Sequence, residues 1–229
     1  MVTPGGEVAF VKRMIKESLA LRERVGWYTT MLGKLSSVST IVEVLREIGL
    51  QNWAVTEFVQ GTKTRRWAVG WSWGDMHPRM DVARRITGLP KHLLPFPSEF
   101  AFHVSSAPPD EVRGRLDTAL KDLPLNWQWQ HAQATTGVGF AKQNVWSRAS
   151  RRKQHGSSDA GTRGDERAQD VGDEEEVAIG FKVQIEGAKE TDGSEVRVRW
   201  MKGKDTVLFE SFCGMLKRKV TTMMMQNDS

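Results

Sequence analysis

The most constraining feature of this sequence is an alternating aromatic pattern that follows a short basic turn at residues 60–64. Large apolar side chains recur there at every second position: Trp67, Val69, Trp71 and Trp73. A period of two is typical of a β-strand with one buried face, and residues 53–59 supply a matching strand before the turn. The segment therefore predicts a rigid hairpin that offers the cations Lys63, Arg65 and Arg66 near its tip.

The charge balance of the chain favours acidic partners. Its 229 residues include 33 Lys and Arg against 28 Asp and Glu, which gives a net charge of +5. An arginine near a hairpin tip suits a polyanion, because a guanidinium can hold one phosphate through two parallel hydrogen bonds. Many basic proteins bind nothing acidic, however, so the charge alone leaves nucleic-acid binding open.

Other features of the composition bound the class of protein. The single cysteine, Cys213, excludes an internal disulfide framework and suits a reducing compartment. The five histidines are scattered without ligand spacing, which argues against a structural zinc site. No apolar run is long enough to span a bilayer, and residues 1–7 lack the regions of a signal peptide. We therefore expect a soluble nuclear or cytoplasmic protein.

The first third of the chain alternates helical and strand patterns. The spacing of apolar residues predicts a helix over 7–24, a strand over 25–32, and a second helix from Ser36 or Ser37 to Gly49. The hairpin follows directly. Because helical crossovers usually connect parallel strands, this order predicts an α/β sheet with parallel neighbours and one antiparallel strand from the hairpin.

The remainder of the chain predicts a second domain. Residues 76–95 are interpreted as a linker, residues 96–222 as a small α+β domain, and residues 223–229 as a frayed tail. Apolar alternation and helical spacing place strands near 100–104, 125–129, 138–146, 177–185 and 196–200, and helices near 110–120 and 205–220. Residues 147–176 have almost no apolar side chains, so we expect a disordered insertion there.

Several short segments in the N-terminal third carry a family resemblance. They are Gly5-Gly6-Glu7, Phe10-Val11-Lys12-Arg13, Trp27-Tyr28, Met31-Leu32-Gly33-Lys34, Thr56-Glu57-Phe58, Gln60-Gly61 and Arg66-Trp67-Ala68. In this order and spacing, residues 5–73 resemble the C-terminal half of the catalytic domain of RNA adenine-N(6)-methyltransferases. That family includes the eukaryotic U6 snRNA enzyme (methyltransferase-like protein 16) and the bacterial ribosomal-RNA enzyme RlmF.

The resemblance implies a fold, a cofactor and a partner. Residues 1–75 would form the C-terminal half of a Rossmann-like methyltransferase sheet that positions structured RNA resembling U6 snRNA. S-adenosylmethionine would be the cofactor of the complete enzyme. Arg66 corresponds directly to a basic residue of the family's RNA-binding turn, whereas Lys63 and Arg65 correspond less securely because this turn is one residue longer. The RNA-binding residues that we predict are Lys12, Arg13, Lys34, Lys63, Arg65 and Arg66.

The family's catalytic motifs do not occur in this sequence. Such enzymes use a Gly-rich cofactor loop and an Asn-Pro-Pro-Phe motif that holds the flipped adenine. Residues 107–110, Ala-Pro-Pro-Asp, lack both the amide and the aromatic ring and are better interpreted as a helix start. Gly137 and Gly139 lack a third glycine at the required spacing and suggest a strand bend. We therefore expect no catalytic residue, no cofactor and no metal in this chain alone.

Alternatives remain open for the whole chain and for its parts. Residues 96–220 resemble the vertebrate family member's C-terminal regulatory region, which has a kinase-associated-1-like fold and adds RNA affinity, but a generic α+β domain is an equal reading. Trp127 and Trp129 are either sheet packing or a platform for RNA bases.

The chain itself is interpreted as a fragment of the enzyme. The alternatives are a non-catalytic protein that binds RNA or docks on a partner, and a fragment that folds poorly because its sheet has an uncovered edge.

Overall fold

The computed structural model describes residues 4–62, 64–84, 86, 88–132, 134–147, 177–188 and 192–222. The chain divides into two compact units, residues 1–98 and 99–229. Lys63, most of the insertion predicted at 147–176 and the tail at 223–229 lie outside the described residues.

The first unit combines three strands with helices on one side. Its elements are α1 (Gly6–Leu21), β1 (Tyr28–Leu32), α2 (Leu35–Glu47), β2 (Trp53–Gln60), β3 (Thr64–Trp71) and the short α3 (Met80–Ala83). Single-turn 3-10 helices follow at Arg22–Arg24 and Lys91–Leu93. The helices α1 and α2 and the strands β1, β2 and β3 agree in type and order with those predicted from the sequence, whereas α3 and the second 3-10 helix lie in the segment predicted as a linker.

The order of the strands corrects one prediction. The sheet runs β1-β3-β2, and both neighbouring pairs are antiparallel. The helical crossover therefore joins two strands that are not neighbours, because the returning hairpin strand β3 lies between them. This position pairs β3 on both edges, so it is the central strand of the sheet.

The Trp-rich face of β3 forms the centre of the first core, as predicted. Val69 and Trp71 are fully buried, and Trp67 and Trp73 pack against the cluster that includes them. The segment predicted as a linker also contributes to this core through Leu89, Leu93 and Leu94.

The second unit is a five-stranded antiparallel sheet with two helices on one face. Its elements are β4 (Glu99–Ser105), α4 (Pro109–Lys121), β5 (Asn126–Trp129), β6 (Thr136–Ala141), β7 (Ile179–Gly187), β8 (Gly193–Lys202) and α5 (Thr206–Thr222). The strand order is β4-β8-β7-β6-β5. The helices α4 and α5 pack on each other and on this sheet. The helix start predicted at the Pro-Pro-Asp segment is confirmed, since α4 begins at Pro109.

The glycines Gly137 and Gly139, predicted at a strand bend, lie within a strand. Both residues lie in β6, which pairs along its length with β5 and β7. A Cβ at Gly137 would collide with the Trp127 ring, and a Cβ at Gly139 would collide with the Phe181 ring. These glycines therefore make room for aromatic rings that lie across the strand.

Candidate functional site

Two helices of the first unit begin at one cleft. The cleft has a volume of about 1020 Å³ and is lined by the Gly-Gly-Glu segment before and within α1, the end of β1, the start of α2 and one residue of β3. The lining residues are Gly5, Gly6, Glu7, Val8, Met31, Leu32, Gly33, Lys34, Ser37 and Arg66. The partial positive charges of two helix N-termini and the cations Lys34 and Arg66 therefore surround the same space.

The carboxylate of Glu7 fixes the geometry of this cleft. Its Oε2 accepts a hydrogen bond from the backbone N–H of Gly33 at 2.8 Å. Burial opposes ionisation, but hydrogen bonds from Ser37, Gly33 and Lys34, together with the Lys34 charge, hold the pKa of Glu7 below its ordinary value. Glu7 thus remains a carboxylate at neutral pH and ties the start of α1 to the start of α2.

This bond also explains a difference from the predicted helix cap. The helix α2 begins at Leu35 with Lys34 at the N-cap position, and Lys34 makes no side-chain capping bond. Ser36 and Ser37 had been predicted as caps but lie inside the first turn. Glu7, 26 residues earlier in the chain, instead accepts from the backbone N–H of Gly33 and so fixes the residue before this N-cap.

The two neighbouring arginines of the hairpin point to opposite faces of the sheet. Arg65 donates to Glu57 Oε1 at 3.0 Å, on the face that carries Trp67. Arg66 lines the cleft, and its Nη1 donates to the backbone oxygen of Arg65 at 3.0 Å. The structure therefore brings Arg66 together with Lys34 and separates Arg65 from both.

The other predicted cations are not part of the cleft lining. Lys12 and Arg13 are exposed on α1, next to the buried Val11. Lys63 lies outside the described residues. Of the six predicted RNA-binding residues, the structure thus places only Lys34 and Arg66 in the cleft. Sequence reasoning missed Glu7 as the residue that organises it.

A signal for that role was present in the sequence. Gly5 and Gly6 have backbone φ angles of 79° and 71°, which favour glycine, and they turn the chain into the cleft immediately before α1. Glu7 itself lies in the first turn of α1, where an acidic residue complements the dipole of its own helix. Its hydrogen-bond partner Gly33 precedes the neighbouring helix, and only the tertiary fold brings the two together.

The hairpin that carries Arg66 is anchored at its base. Trp71 and Trp73 both donate their indole N–H groups to the hydroxyl of Ser18, at 3.1 and 3.0 Å. Ser18 in turn donates to the backbone oxygen of Ile15 at 2.7 Å. Since Trp71 is fully buried, this arrangement fixes the sheet to α1 and gives the hairpin a rigid support.

Trp127 and Trp129 in the second unit are packing residues. Both donate to Asp117 Oδ1 on α4, at 3.4 and 3.0 Å, so they lie on the face of the sheet that the helices cover. Trp127 also stacks on Phe181 with 5.9 Å between ring centroids. The structure favours packing over the base-stacking alternative for this pair.

The described residues show neither a metal cluster nor a reactive thiol. No group of three or more potential ligands converges among them. Cys213 is buried, and burial raises the pKa of its thiol. Among the described helices, none is both long and apolar enough to cross a membrane.

Comparison with known proteins shows what the first unit is similar to. Residues 1–75 match the model of a family described as RNA methyltransferase. The resemblance to that family, carried by the Gly-Gly-Glu and Arg-Trp-Ala segments, is therefore confirmed for this part of the chain.

The particular relatives are adenine-N(6)-methyltransferases. The U6 small nuclear RNA (adenine-(43)-N(6))-methyltransferase of Schizosaccharomyces pombe is 28% identical over 223 residues, which are 95% of this chain and 51% of the relative. The enzyme of the same name from Drosophila melanogaster is 53% identical over 68 residues, covering 30% of this chain and 22% of the relative. The human RNA N(6)-adenosine-methyltransferase METTL16 is 47% identical over 75 residues, covering 33% and 13%.

The chain spans about half the length of the S. pombe relative and smaller shares of the others. A solved structure of the human METTL16 catalytic domain in complex with MAT2A 3'UTR hairpin 1 is 47% identical and covers 32% of this chain and 26% of that chain, with a TM-score of 0.31.

Proposed function

We propose that this chain is the C-terminal part of an S-adenosylmethionine-dependent RNA adenine-N(6)-methyltransferase of the U6 snRNA type, and that it contributes RNA positioning. The observation that carries the proposal is the convergence of Lys34 and Arg66 on the cleft at the Gly-Gly-Glu segment. Both residues belong to segments that carry the family resemblance.

The chemistry of the cleft suits a phosphodiester. Lys34 supplies a point charge, and Arg66 supplies a planar fork of N–H donors that matches two phosphate oxygens. Glu7 carries the opposite charge, but its Oε2 accepts a hydrogen bond from the Gly33 N–H, and the two cations of the lining outnumber this single carboxylate. The cleft can therefore hold a phosphate while the hairpin keeps the guanidinium in place.

The proposal also assigns roles to the cofactor and to each of the two units. In the complete enzyme, S-adenosylmethionine supplies the methyl group, and the cofactor loop and the Asn-Pro-Pro-Phe motif do not come from this sequence. Residues 1–75 would then position RNA beside the site of transfer, and the α+β domain would add RNA affinity. A nuclear or cytoplasmic location is compatible with this role.

Binding of the full chain to a U6-like RNA hairpin, measured by fluorescence anisotropy over a range of salt concentrations, tests the proposal. Lys34→Gln/Arg66→Gln should weaken binding and reduce the slope of log K against log salt by about 2, since each phosphate contact in a duplex contributes about 0.9. The double variant Lys16→Gln/Arg24→Gln removes the same charge from exposed positions outside the cleft. Equal losses in both variants, or no binding by the wild-type chain, would contradict the proposal.

The second candidate is a non-catalytic protein that docks on a partner, and a specific surface favours it. One face of the three-stranded sheet carries exposed apolar side chains. They are Met31, Phe58 and Trp27, which are 63%, 47% and 40% exposed. The described part of β1 also pairs only with β3 and leaves its other edge open. Such a face and edge could accept a strand and a covering layer from another polypeptide.

A complementation experiment separates the two candidates. The chain would be co-expressed with a separate polypeptide that carries the cofactor loop and Asn-Pro-Pro-Phe half of a relative. Stable co-purification with transfer of methyl groups to RNA supports the enzyme. Co-purification without transfer supports docking alone, and Met31→Gln/Phe58→Gln should abolish either result.

A further inference from the structure

The second unit presents a sheet face that the described helices do not cover. Along β7 and β8, every second side chain is buried beneath α4 and α5, and the alternate side chains are partly exposed. The cross-strand register of these alternate residues defines one continuous surface, here named the open face. It comprises Asn126, Gln128, Val138, Phe140, Lys182, Gln184, Arg197 and Arg199.

An aromatic ring lies against a glycine on the open face. Phe140 is partly exposed in β6, and its neighbour in β7 is Gly180. A Cβ at Gly180 would lie 3.0 Å from the Phe140 ring and 3.1 Å from Cβ of Lys202. The glycine therefore lets the ring rest on the backbone of the adjacent strand, beside a lysine stem. A ring in this position offers a π-face on which a planar base can stack.

Two cations are paired across strands beside this ring. Lys182 on β7 lies directly opposite Arg199 on β8. Like charges in opposite positions destabilise a sheet, so the pair has no benefit for folding. In addition, Nε of Arg199 is buried without a hydrogen-bond partner among the described residues. An anion between the two strands would relieve the repulsion and supply the missing acceptor.

The acidic residues of this face mark where the anion site ends. Arg197 contacts Glu195 at 2.6 Å and Glu186 at 3.8 Å, so its charge is neutralised at one end of the sheet. Glu99 on β4 lies opposite Arg199 on its other side. Lys182 lies between Val138 on β6 and Arg199 on β8, so no acidic residue is opposite it, and it lies on the side of Arg199 that faces β6 and Phe140.

We infer that the open face binds single-stranded RNA. Phe140 stacks on one base, Lys182 and Arg199 contact the adjacent phosphates, and the amides of Asn126 and Gln128 hydrogen-bond to base edges. Exposed antiparallel sheets with aromatic rings recognise unpaired bases in this way, whereas a duplex keeps its bases stacked and out of reach. The inference rests on the proposed RNA-binding function and assigns the surface and the RNA form to the second unit.

Anisotropy with the full chain and a single-stranded RNA oligonucleotide tests the inference. Lys182→Gln/Arg199→Gln should reduce the salt slope by about 1.4, because each single-strand phosphate contact contributes about 0.7. Phe140→Leu keeps an apolar side chain on Gly180 but removes the stacking surface, and it should weaken binding by about tenfold. Lys217→Gln/Arg218→Gln removes two charges from α5 and should leave binding to this RNA unchanged.

The outcomes of these binding measurements distinguish a failure of the inference from a failure of the proposed function. Loss in the two open-face variants with native circular dichroism, together with competition by single-stranded but not by duplex RNA, supports the inference. Wild-type affinity in both open-face variants, or equal competition by duplex RNA, overturns it and leaves the proposed function intact. If the wild-type chain binds neither this oligonucleotide nor the U6-like hairpin, the proposed function fails together with the inference.

Discussion

The Glu7 carboxylate accepts a hydrogen bond from the backbone N–H of Gly33 at 2.8 Å, and this bond joins the starts of two helices across 26 residues of sequence. The lining of the cleft thus contains one carboxylate, Glu7, beside the two cations Lys34 and Arg66. The bond also fixes the residue before the N-cap of α2, a helix that has no side-chain cap of its own.

Replacing Glu7 should destabilise the first unit in a pH-dependent way. Glu7→Gln should lower the free energy of unfolding at pH 7 by about 1 kcal/mol, the typical net contribution of one hydrogen bond. Because the pKa of Glu7 is lower in the folded chain than its ordinary value of 4.5, this contribution is present above the unfolded pKa and disappears as the pH falls through the folded pKa. Urea denaturation followed by circular dichroism at pH 7 and pH 3 measures both effects.

The matched control for this prediction is Glu17→Gln, which changes an exposed carboxylate on the same helix. Its stability at pH 7 should stay close to that of the wild type. A difference between wild type and Glu7→Gln that is as large at pH 3 as at pH 7 would show that the carboxylate charge is not what stabilises α2.

Removing the hydroxyl of Ser18 should leave two indole donors without an acceptor. Ser18→Ala should cost about 2 kcal/mol of unfolding free energy, because the fully buried Trp71 would then carry an unsatisfied N–H. The comparison is Ser39→Ala, whose hydroxyl donates only within α2, to Leu35. Urea denaturation of the two variants should differ clearly in midpoint, and equal midpoints would contradict the assigned role of Ser18.

Two glycine substitutions in the second unit should have opposite effects. Gly139→Ala would force the buried Phe181 ring from its position and should destabilise the unit by about 1–3 kcal/mol. Gly114→Ala places a methyl group in open space on α4 and should be neutral or stabilising by up to about 1 kcal/mol. Thermal denaturation measures both, and a stable Gly139→Ala variant would contradict the packing of Phe181 over β6.

The two arginines of the hairpin should differ in their effect on RNA binding. Arg66→Gln should lower the affinity for a U6-like hairpin and reduce the salt slope by about 1, as expected for one lost phosphate contact. Arg65→Gln removes the same charge from a side chain that pairs with Glu57 and should have a smaller effect on affinity. A larger loss for Arg65→Gln would indicate that the RNA contacts the opposite face of the sheet.

The thiol of Cys213 should be unreactive in the folded chain. Burial raises its pKa and limits access, so a disulfide reagent at pH 8 should release no chromophore until denaturant is added. One equivalent should then be released, because the sequence contains a single cysteine. Rapid reaction without denaturant would show that α5 opens in the native state.

Local patterns in the sequence determined the elements of this fold. The alternation from Trp67 to Trp73 defined a strand with a buried face, and the apolar spacing before Gly49 defined α2. These predictions succeeded because the period of apolar residues and the stop at Gly49 depend on neighbouring residues. The family resemblance also followed from the sequence, since it rests on the order of short segments.

The tertiary structure decided which residues meet. Arg65 and Arg66 are adjacent in sequence and equivalent in charge, but successive strand residues face opposite sides, and only one of them reaches Lys34. The insertion of β3 between β1 and β2 depends on hydrogen bonds between distant strands, which periodicity does not specify. For the same reason, the sequence indicated Trp127 and Trp129 as possible base-stacking residues, whereas the packing of α4 covers both and leaves Phe140 on the open face.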